Sequence, residues 1–221
     1  MNIIGIIPAR YDSTRFPGKP LVDIKGKTMV QRVYEQVSKV LAHVCVATDD
    51  ERIFNHVHQF GGNVVMTNKN HPSGTDRCLE AAIKYQDETH LQADVIINIQ
   101  GDEPFINPTQ IEQLANLFKF DDTQIATLIK KVDDEEVLTN PNVVKVVKNN
   151  YNNALYFSRS CIPYLRNFKP FEWLNHHEFY QHIGMYGYRF KVLSEICKLP
   201  KGILETAESL EQLRWLENGY N

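Results

Sequence analysis

Ile3-Ile4-Gly5-Ile6-Ile7 opens the chain as an unbroken apolar run, and the predicted architecture extends outward from this segment. Such a run, without polar alternation, is typical of a strand buried on both faces of a parallel sheet. Similar short runs follow at residues 44–47, 63–66 and 95–99, with helix signals between them. This alternation predicts βαβ units and an α/β fold, with a mainly parallel twisted sheet and helices on both faces.

Two of the intervening helices carry clear start signals. Thr48-Asp49-Asp50 precedes one of them and Ser73-Gly74-Thr75 precedes another. Hydroxyl and carboxylate side chains at such positions accept hydrogen bonds from the first amides of a helix. Helices are predicted at residues 51–60, 76–85, 109–118, 190–198 and 207–218.

The regular alternation loosens in the second half of the chain. Strands are predicted at residues 126–132, 143–147, 155–158 and 184–188, with little helix between them. We therefore expect an inserted section with mixed or antiparallel pairing. No linker or repeat separates it from the rest, so residues 1–221 are predicted to form a single domain with halves at 1–120 and 121–221.

The composition is that of an ordinary globular protein. Of the 221 residues, 43% are hydrophobic, which is enough for a buried core. The 24 basic and 27 acidic side chains give a formal net charge of -3 and form no long basic block. Nucleic-acid binding needs clustered positive charge, so this composition argues against a nucleic-acid partner. A small anionic ligand needs only a few well-placed cations.

Cysteine usage and the N-terminus indicate the compartment. The cysteines are Cys45, Cys78, Cys161 and Cys197. They lie far apart without metal-binding spacing, which is typical of free thiols in a reducing compartment. The apolar N-terminus lacks a charged lead and a cleavage site, and no stretch is long enough to span a membrane. We expect a cytoplasmic protein with no membrane partner.

A basic loop follows the first strand, where parallel sheets bind ligands beyond the carboxyl ends of their strands. Its chemistry-bearing side chains are Arg10, Ser13, Thr14, Arg15 and Lys19, with Gly18 allowing close backbone approach. Convergent arginine and lysine donors suit a triphosphate. A solvated basic loop would explain the charges alone, but the position after a buried strand favours phosphate binding. The loop matches neither GxxxxGK[ST] nor GxGxxG, which disfavours kinase-like and dinucleotide sites.

A second candidate element is Asn98-Ile99-Gln100-Gly101-Asp102-Glu103-Pro104, at the end of the strand at 95–99. A carboxylate at this edge suits a Mg²⁺ ion that bridges phosphates. A plain Gly-Asp turn is the alternative. Taken together with the basic loop, the segment favours Asp102 as metal ligand, with Glu103 as the weaker candidate.

Five ordered segments carry a resemblance to a known family. They are Arg10 to Leu21, Ser73-Gly74-Thr75-Asp76-Arg77, Ile99-Gln100-Gly101-Asp102-Glu103-Pro104, Ala154-Leu155-Tyr156-Phe157-Ser158-Arg159 and Glu208-Ser209-Leu210-Glu211-Gln212-Leu213-Arg214. In these segments the chain resembles the 3-deoxy-manno-octulosonate cytidylyltransferases, which have a nucleotide-diphospho-sugar transferase-like fold. Phe16 stands where leucine is more usual in that family. The resemblance spans nearly the whole chain.

The resemblance implies transfer of CMP from CTP to the sugar acid 3-deoxy-D-manno-octulosonate (KDO), for lipopolysaccharide biosynthesis, with Mg²⁺ as cofactor and a homodimeric assembly. It implies catalytic roles for Arg10, Lys19 and Asp102, with Asp102 also binding the metal. Nucleotide binding is implied for Arg10, Ser13, Arg15, Lys19, Ser73, Gly74, Arg77 and Gln100. Sugar binding is implied for Gln100, Arg159, His182, Tyr186, Glu211 and Gln212. The first half of the chain would then bind the nucleotide, and the second would bind the sugar acid and the partner subunit. Family members usually continue beyond the position of Asn221 with a further metal-binding aspartate, so we expect that tail to be missing here.

Some of these residues can also be explained by a purely structural role. Arg159 offers a planar fork for a carboxylate but also fits an exposed arginine at a strand end. His182, beside a glycine-rich alternating stretch, fits a structural histidine with one hydrogen bond. Glu211 and Gln212 fit the solvent-facing side of an amphipathic helix.

Three other functions remain open from the sequence. One is a cytidylyltransferase for another ulosonic acid, of the sialic or 8-amino type. Another is a different nucleotidyltransferase or a glycosyltransferase, although the chain has neither a glycine-richer first loop nor an Asp-x-Asp pair. The third is a catalytically weak nucleotide-binding regulatory relative, against which the presence of Arg10, Lys19 and Asp102 argues.

Overall fold

The computed structural model describes residues 1–12 and 16–221. Within these residues the strands are β1 (Ile3–Ala9), β2 (Asp23–Ile24), β3 (Lys27–Thr28), β4 (His43–Thr48), β5 (Val64–Met66), β6 (Val95–Asn98), β7 (Ile125–Lys131), β8 (Lys145–Lys148), β9 (Ala154–Ser158) and β10 (Tyr180–Arg189). The α-helices are α1 (Met29–Val37), α2 (Glu51–Gln59), α3 (Gly74–Thr89), α4 (Pro108–Leu117), α5 (Glu135–Thr139), α6 (Trp173–His176), α7 (Phe190–Ile196), α8 (Ile203–Glu208) and α9 (Gln212–Glu217).

The chain forms two compact units. The first comprises Met1–Ala126 and Met185–Cys197, and the second comprises Thr127–Gly184 and Lys198–Asn221. They differ from the sequence halves 1–120 and 121–221 because the chain returns to the first unit through the end of β10 and α7. The assignment of all 221 residues to a single domain stays a prediction.

The first unit is built on parallel strands in the order β5-β4-β1-β6. The end of β10 pairs antiparallel with β6, with Tyr186 opposite Asn98. Ile4, Ile6 and Ile7 are each 0% exposed, which shows that both faces of β1 are covered, as expected when helices pack on both sides. The predicted α/β fold with a mainly parallel sheet is confirmed.

The second unit contains antiparallel pairs. β8 pairs with β9, and the first residues of β10 pair with β8. One small core gathers Val132, Leu138, Trp173 and Phe179, and another gathers Val146, Phe157, Leu210 and Leu213. The predicted mixed section in the second half is confirmed.

One helix prediction needs correction, and the helices α1, α5 and α6 of the described residues were not predicted. The predicted helix 207–218 is two helices, α8 and α9, because Ser209 adopts a left-handed conformation (φ 53) that ends α8. The sequence interpretation also missed α1. Its signal was available, since the Thr28 side chain caps the helix and Val30, Val33 and Val37 follow at helical spacing.

All four cysteines lie in the described part and are free thiols, Cys45 and Cys78 buried and the other two partly buried. Among residues 1–12 and 16–221, no helix combines the length and the apolar character that crossing a membrane requires.

Candidate active site

The loop after β1 is closed by its own backbone. The Gly18 N–H donates to the Tyr11 carbonyl at 2.9 Å, and Gly18 has φ 73, a conformation that favours glycine. A short 3₁₀ turn, Lys19–Leu21, follows at once with Pro20 buried. This geometry anchors Lys19 at the base of the loop. Ser13 and Arg15, also predicted to bind phosphate, lie outside the described residues.

Asp102 meets this loop from the end of β6. A Cβ added to Gly101 would lie 2.6 Å from the Pro8 carbonyl oxygen, so only glycine allows the two segments to approach this closely. The approach brings Lys19 Nζ to 2.6 Å from Asp102 Oδ2. Both side chains remain accessible, at 33% and 52% exposure, so a ligand can reach them. Two residues predicted as catalytic are thus in direct contact.

Glu103, the weaker metal candidate, differs from its neighbour. Desolvation, and then the adjacent Asp102 charge, raise the pKa of Glu103 above its usual value. A carboxyl with a raised pKa is less readily ionised and so holds a cation less well. This disfavours Glu103, and Asp102 stays the predicted metal ligand. The described residues contain no cluster of three or more histidine, cysteine or acidic side chains that could hold a metal by itself.

Arg10 lies beside the end of β4, next to Asp49. Its Nε is 3.6 Å from Asp49 Oδ2, and one terminal nitrogen donates to the Lys69 carbonyl at 3.3 Å. About half of its side chain (51%) stays exposed. Sequence reasoning did not single out Asp49, although its signal is the one that pointed to Asp102: a carboxylate directly after a buried strand.

The segment at residues 73–77 forms the start of α3. Ser73 Oγ accepts hydrogen bonds from the amides of Thr75 and Asp76, as expected for a cap. Space around Gly74 is open, because a Cβ added there would meet nothing within 4 Å, so a ligand can approach its backbone. Arg77 is different, because it is only 1% exposed and its guanidinium contacts Thr67 and Asp49. Gln100 is exposed beside Gly101.

Tyr186, predicted to bind the sugar, also lies in the first unit. Its ring stacks on that of Tyr188 with centroids 5.9 Å apart. Gln100, the other predicted sugar-binding residue of the first unit, is exposed, whereas Arg159, His182, Glu211 and Gln212 lie in the second unit.

Arg159 follows β9 and is tied to the turn after α8. Its Nε donates to the Glu208 carbonyl at 2.8 Å, and its terminal nitrogens donate to the carbonyls of Pro141 and Ser209 at 3.1 and 3.4 Å. The Glu208 carboxylate in turn accepts from the Arg159 amide and the Ser158 hydroxyl. Three backbone acceptors fix the plane of the guanidinium, so any anion that binds it meets a side chain already oriented. Sequence reasoning missed this role of Glu208.

His182 is largely enclosed. Burial lowers its pKa to about 4, so the ring is neutral near neutral pH. Its Nε2 is 3.0 Å from Thr127 Oγ1, and its ring meets Phe157 edge-on at 5.2 Å. Gln212 is 7% exposed at the start of α9, while Glu211 is partly buried just before it. A neutral imidazole and an amide each offer a donor and an acceptor. They therefore suit the hydroxyl groups of the sugar acid better than they suit its carboxylate. The sugar-binding roles of all these residues stay predictions.

Comparisons with known proteins identify the family. The sequence matches the cytidylyltransferase family over residues 4–221. A 3-deoxy-manno-octulosonate cytidylyltransferase from Parabacteroides distasonis is 62% identical, over 100% of this chain and 88% of the relative. An 8-amino-3,8-dideoxy-manno-octulosonate cytidylyltransferase from Shewanella pealeana is 49% identical, with the same coverage of 100% and 88%.

A solved structure is similar over the whole chain. It is CMP:2-keto-3-deoxy-manno-octonic acid synthetase complexed with CTP, at 44% identity and a TM-score of 0.91, covering 100% of this chain and 88% of that one. The resemblance drawn from the five sequence segments is confirmed. This chain is a nucleotidyltransferase and belongs to the cytidylyltransferase family, in its group of 3-deoxy-manno-octulosonate cytidylyltransferases.

Proposed function

We propose that this protein transfers CMP from CTP to KDO and releases pyrophosphate, as an activation step for lipopolysaccharide biosynthesis. The observation that carries the proposal is the contact of Lys19 with Asp102 at the shared edge of β1 and β6, in a chain that is 62% identical to a 3-deoxy-manno-octulosonate cytidylyltransferase. That edge is where open parallel sheets bind nucleotides.

The chemistry is an in-line displacement at phosphorus. The anomeric hydroxyl oxygen of the sugar acid forms a bond to the α-phosphorus of CTP while the bond from that phosphorus to the bridging oxygen breaks. The hydroxyl proton passes to solvent, and pyrophosphate leaves. Arg10 and Lys19 bind the triphosphate and offset the charge that grows on the leaving group. No covalent intermediate with the chain is needed, because positioning and electrostatics suffice.

Mg²⁺ is part of the proposal, with Asp102 as its ligand from this chain. Mg²⁺ in nucleotide sites is bound through one or two carboxylates plus phosphate oxygens and water, so one accessible carboxylate fits it. The ion would supply positive charge to the phosphates. Lys19, 2.6 Å from Asp102, offsets the charge of an acidic side chain that would otherwise repel the triphosphate.

The sugar and the nucleotide are tested together by pyrophosphate release. CTP is offered with KDO, 8-amino-KDO or N-acetylneuraminate, and KDO is offered with CTP, UTP or ATP. We expect the fastest release with CTP and KDO. Higher specificity for the 8-amino sugar would assign the chain to the activity of the 49%-identical relative instead. Absence of pyrophosphate release in every combination would favour a regulatory nucleotide-binding protein.

We also propose a homodimer in the cytoplasm. Large apolar side chains of the second unit are exposed, including Tyr164 at 72%, Phe171 at 63% and Leu155 at 59%. Exposed apolar side chains mark a surface that another subunit covers where they form a contiguous patch. The free thiols are consistent with a reducing compartment. Light scattering after size exclusion should give twice the mass of the 25.6 kDa chain, and a monomer at micromolar concentration would exclude the dimer.

A further inference from the structure

Arg77 is sealed inside the first unit. Only 1% of its surface is exposed, and its two terminal nitrogens donate to Thr67 Oγ1 and, at 2.7 Å, to Asp49 Oδ2. A buried guanidinium requires a counter-ion, because an unpaired charge in the interior is costly. Asp49 is that counter-ion, so the guanidinium of Arg77 is paired with a carboxylate of the protein itself.

Asp49 serves a second arginine at the same time. Ala9 lies opposite Thr48 in the pairing of β1 with β4, so residues 10 and 49 emerge next to each other at the same sheet edge. The Oδ2 atom that accepts from Arg77 also lies 3.6 Å from Arg10 Nε. The Asp49 side chain is 11% exposed. One of its carboxylate oxygens thus lies between the buried guanidinium of Arg77 and the accessible guanidinium of Arg10.

A second contact of Arg10 is also anchored by other residues. A terminal nitrogen of Arg10 donates to the Lys69 carbonyl, and the loop that carries this carbonyl is tied down by Glu80. Glu80 Oε2 accepts from the Asn68 amide at 2.8 Å and contacts His71. Burial alone raises the pKa of Glu80, but hydrogen bonds from Lys84, Asn68 and His71 outweigh burial and lower the pKa to about 2, so the anchor is a carboxylate throughout the physiological range.

A free arginine side chain loses conformational freedom when it binds a phosphate, and an arginine held in advance loses less. We propose that Asp49 is the positioning residue for Arg10, and that Arg77 acts through Asp49 instead of touching the nucleotide. This inference rests on the proposed function, in which Arg10 binds the triphosphate. It assigns Asp49 a role and replaces the direct nucleotide contact expected for Arg77 with an indirect one.

The test is a double-mutant cycle on CTP binding. Asp49→Asn keeps an oxygen that can accept from Arg77 but removes the charge that orients Arg10. We expect the Kd for CTP, measured by calorimetry, and the KM for CTP to rise about tenfold, within the range of coupling between side chains of one ion-pair network. The kcat should fall as well, because a displaced Arg10 also offsets less of the charge that grows on the leaving group. In an Arg10→Ala background, Asp49→Asn should change the Kd by less than about twofold.

Asp50→Asn is the matched control. Asp50 is the next residue, caps α2 and pairs with Arg52, and asparagine caps a helix as well as aspartate does. Its Kd for CTP should equal that of wild type. If Asp49→Asn does not fold, Asp49→Glu serves the same cycle, because it keeps a charge beside Arg77 while its longer side chain displaces Arg10.

Each outcome decides the matter. An unchanged Kd in Asp49→Asn, or an equal loss with and without Arg10, shows that Asp49 is merely structural and overturns the inference while leaving the proposed function intact. Absence of CTP binding by the wild-type protein defeats the proposed function, and the inference with it.

Discussion

Replacing Lys19 with alanine should lower turnover strongly while leaving the free energy of unfolding nearly unchanged. Lys19 Nζ lies 2.6 Å from Asp102 Oδ2, but the two side chains are 33% and 52% exposed. Pairs this accessible to solvent contribute about 0–1 kcal/mol, so the free energy of unfolding should change by less than about 1 kcal/mol. Turnover should fall about 100- to 1,000-fold, the loss seen when one preorganised donor to a developing charge is removed.

Lys27→Ala is the control for this prediction. Lys27 pairs with Glu35 at 2.7 Å, and the two side chains are 44% and 41% exposed. The substitution therefore removes a similar ion pair from the same unit. Turnover is measured as pyrophosphate release at saturating CTP and KDO over a series of Mg²⁺ concentrations, and stability by urea unfolding followed by circular dichroism. The reasoning is refuted if Lys19→Ala turns over within about threefold of wild type, or if its turnover falls only in proportion to lost folded protein.

Three further predictions concern other sites. Asp102→Asn should raise the Mg²⁺ concentration for half-maximal activity by about tenfold or more, and an unchanged titration would remove Asp102 from the metal site. Gly187→Ala should destabilise the fold by about 1–3 kcal/mol in urea unfolding, because its Cβ would lie 2.4 Å from the buried Phe118 ring, whereas Gly184→Ala has open space and should cost far less. Burial lowers the pKa of His182 from 6.5 to about 4, so the unfolded chain binds the proton first as the pH falls and stability is lost on acidification. Between pH 7 and pH 5 the wild type should lose about 2 kcal/mol more than His182→Gln, and equal losses would show that the native ring titrates normally.

The sequence was most informative where local pattern and topology coincide. Apolar runs without alternation can be stable only inside a covered sheet, and a parallel sheet places the residues after β1 and β6 at one edge. Lys19 and Asp102 were predicted to share a site on that ground, and they are in contact. The same rule applied to β4 would have found Asp49.

Hydrophobic periodicity gave a wrong helix where the backbone conformation of a single residue interrupts a continuous helical pattern. Leu210, Leu213 and Leu216 continue the helical spacing of residues 207–218, yet Ser209 adopts a left-handed conformation. The break places Glu205 against Arg214, which form a buried ion pair with distances of 2.7 and 2.6 Å. Such a contact between residues on two helices has no signature in hydrophobic spacing.

By itself the sequence determined the α/β class and the family, and it predicted the sheet edge at which Lys19 and Asp102 meet, because these depend on residue order and on ordered motifs. Only the tertiary structure decided which polar side chains remain accessible. Arg10 and Arg77 are both arginines in segments that resemble the family, but one is 51% exposed and the other is 1% exposed. The charge, the pKa and the reach of a side chain depend on what packs around it, and those neighbours come from distant parts of the chain.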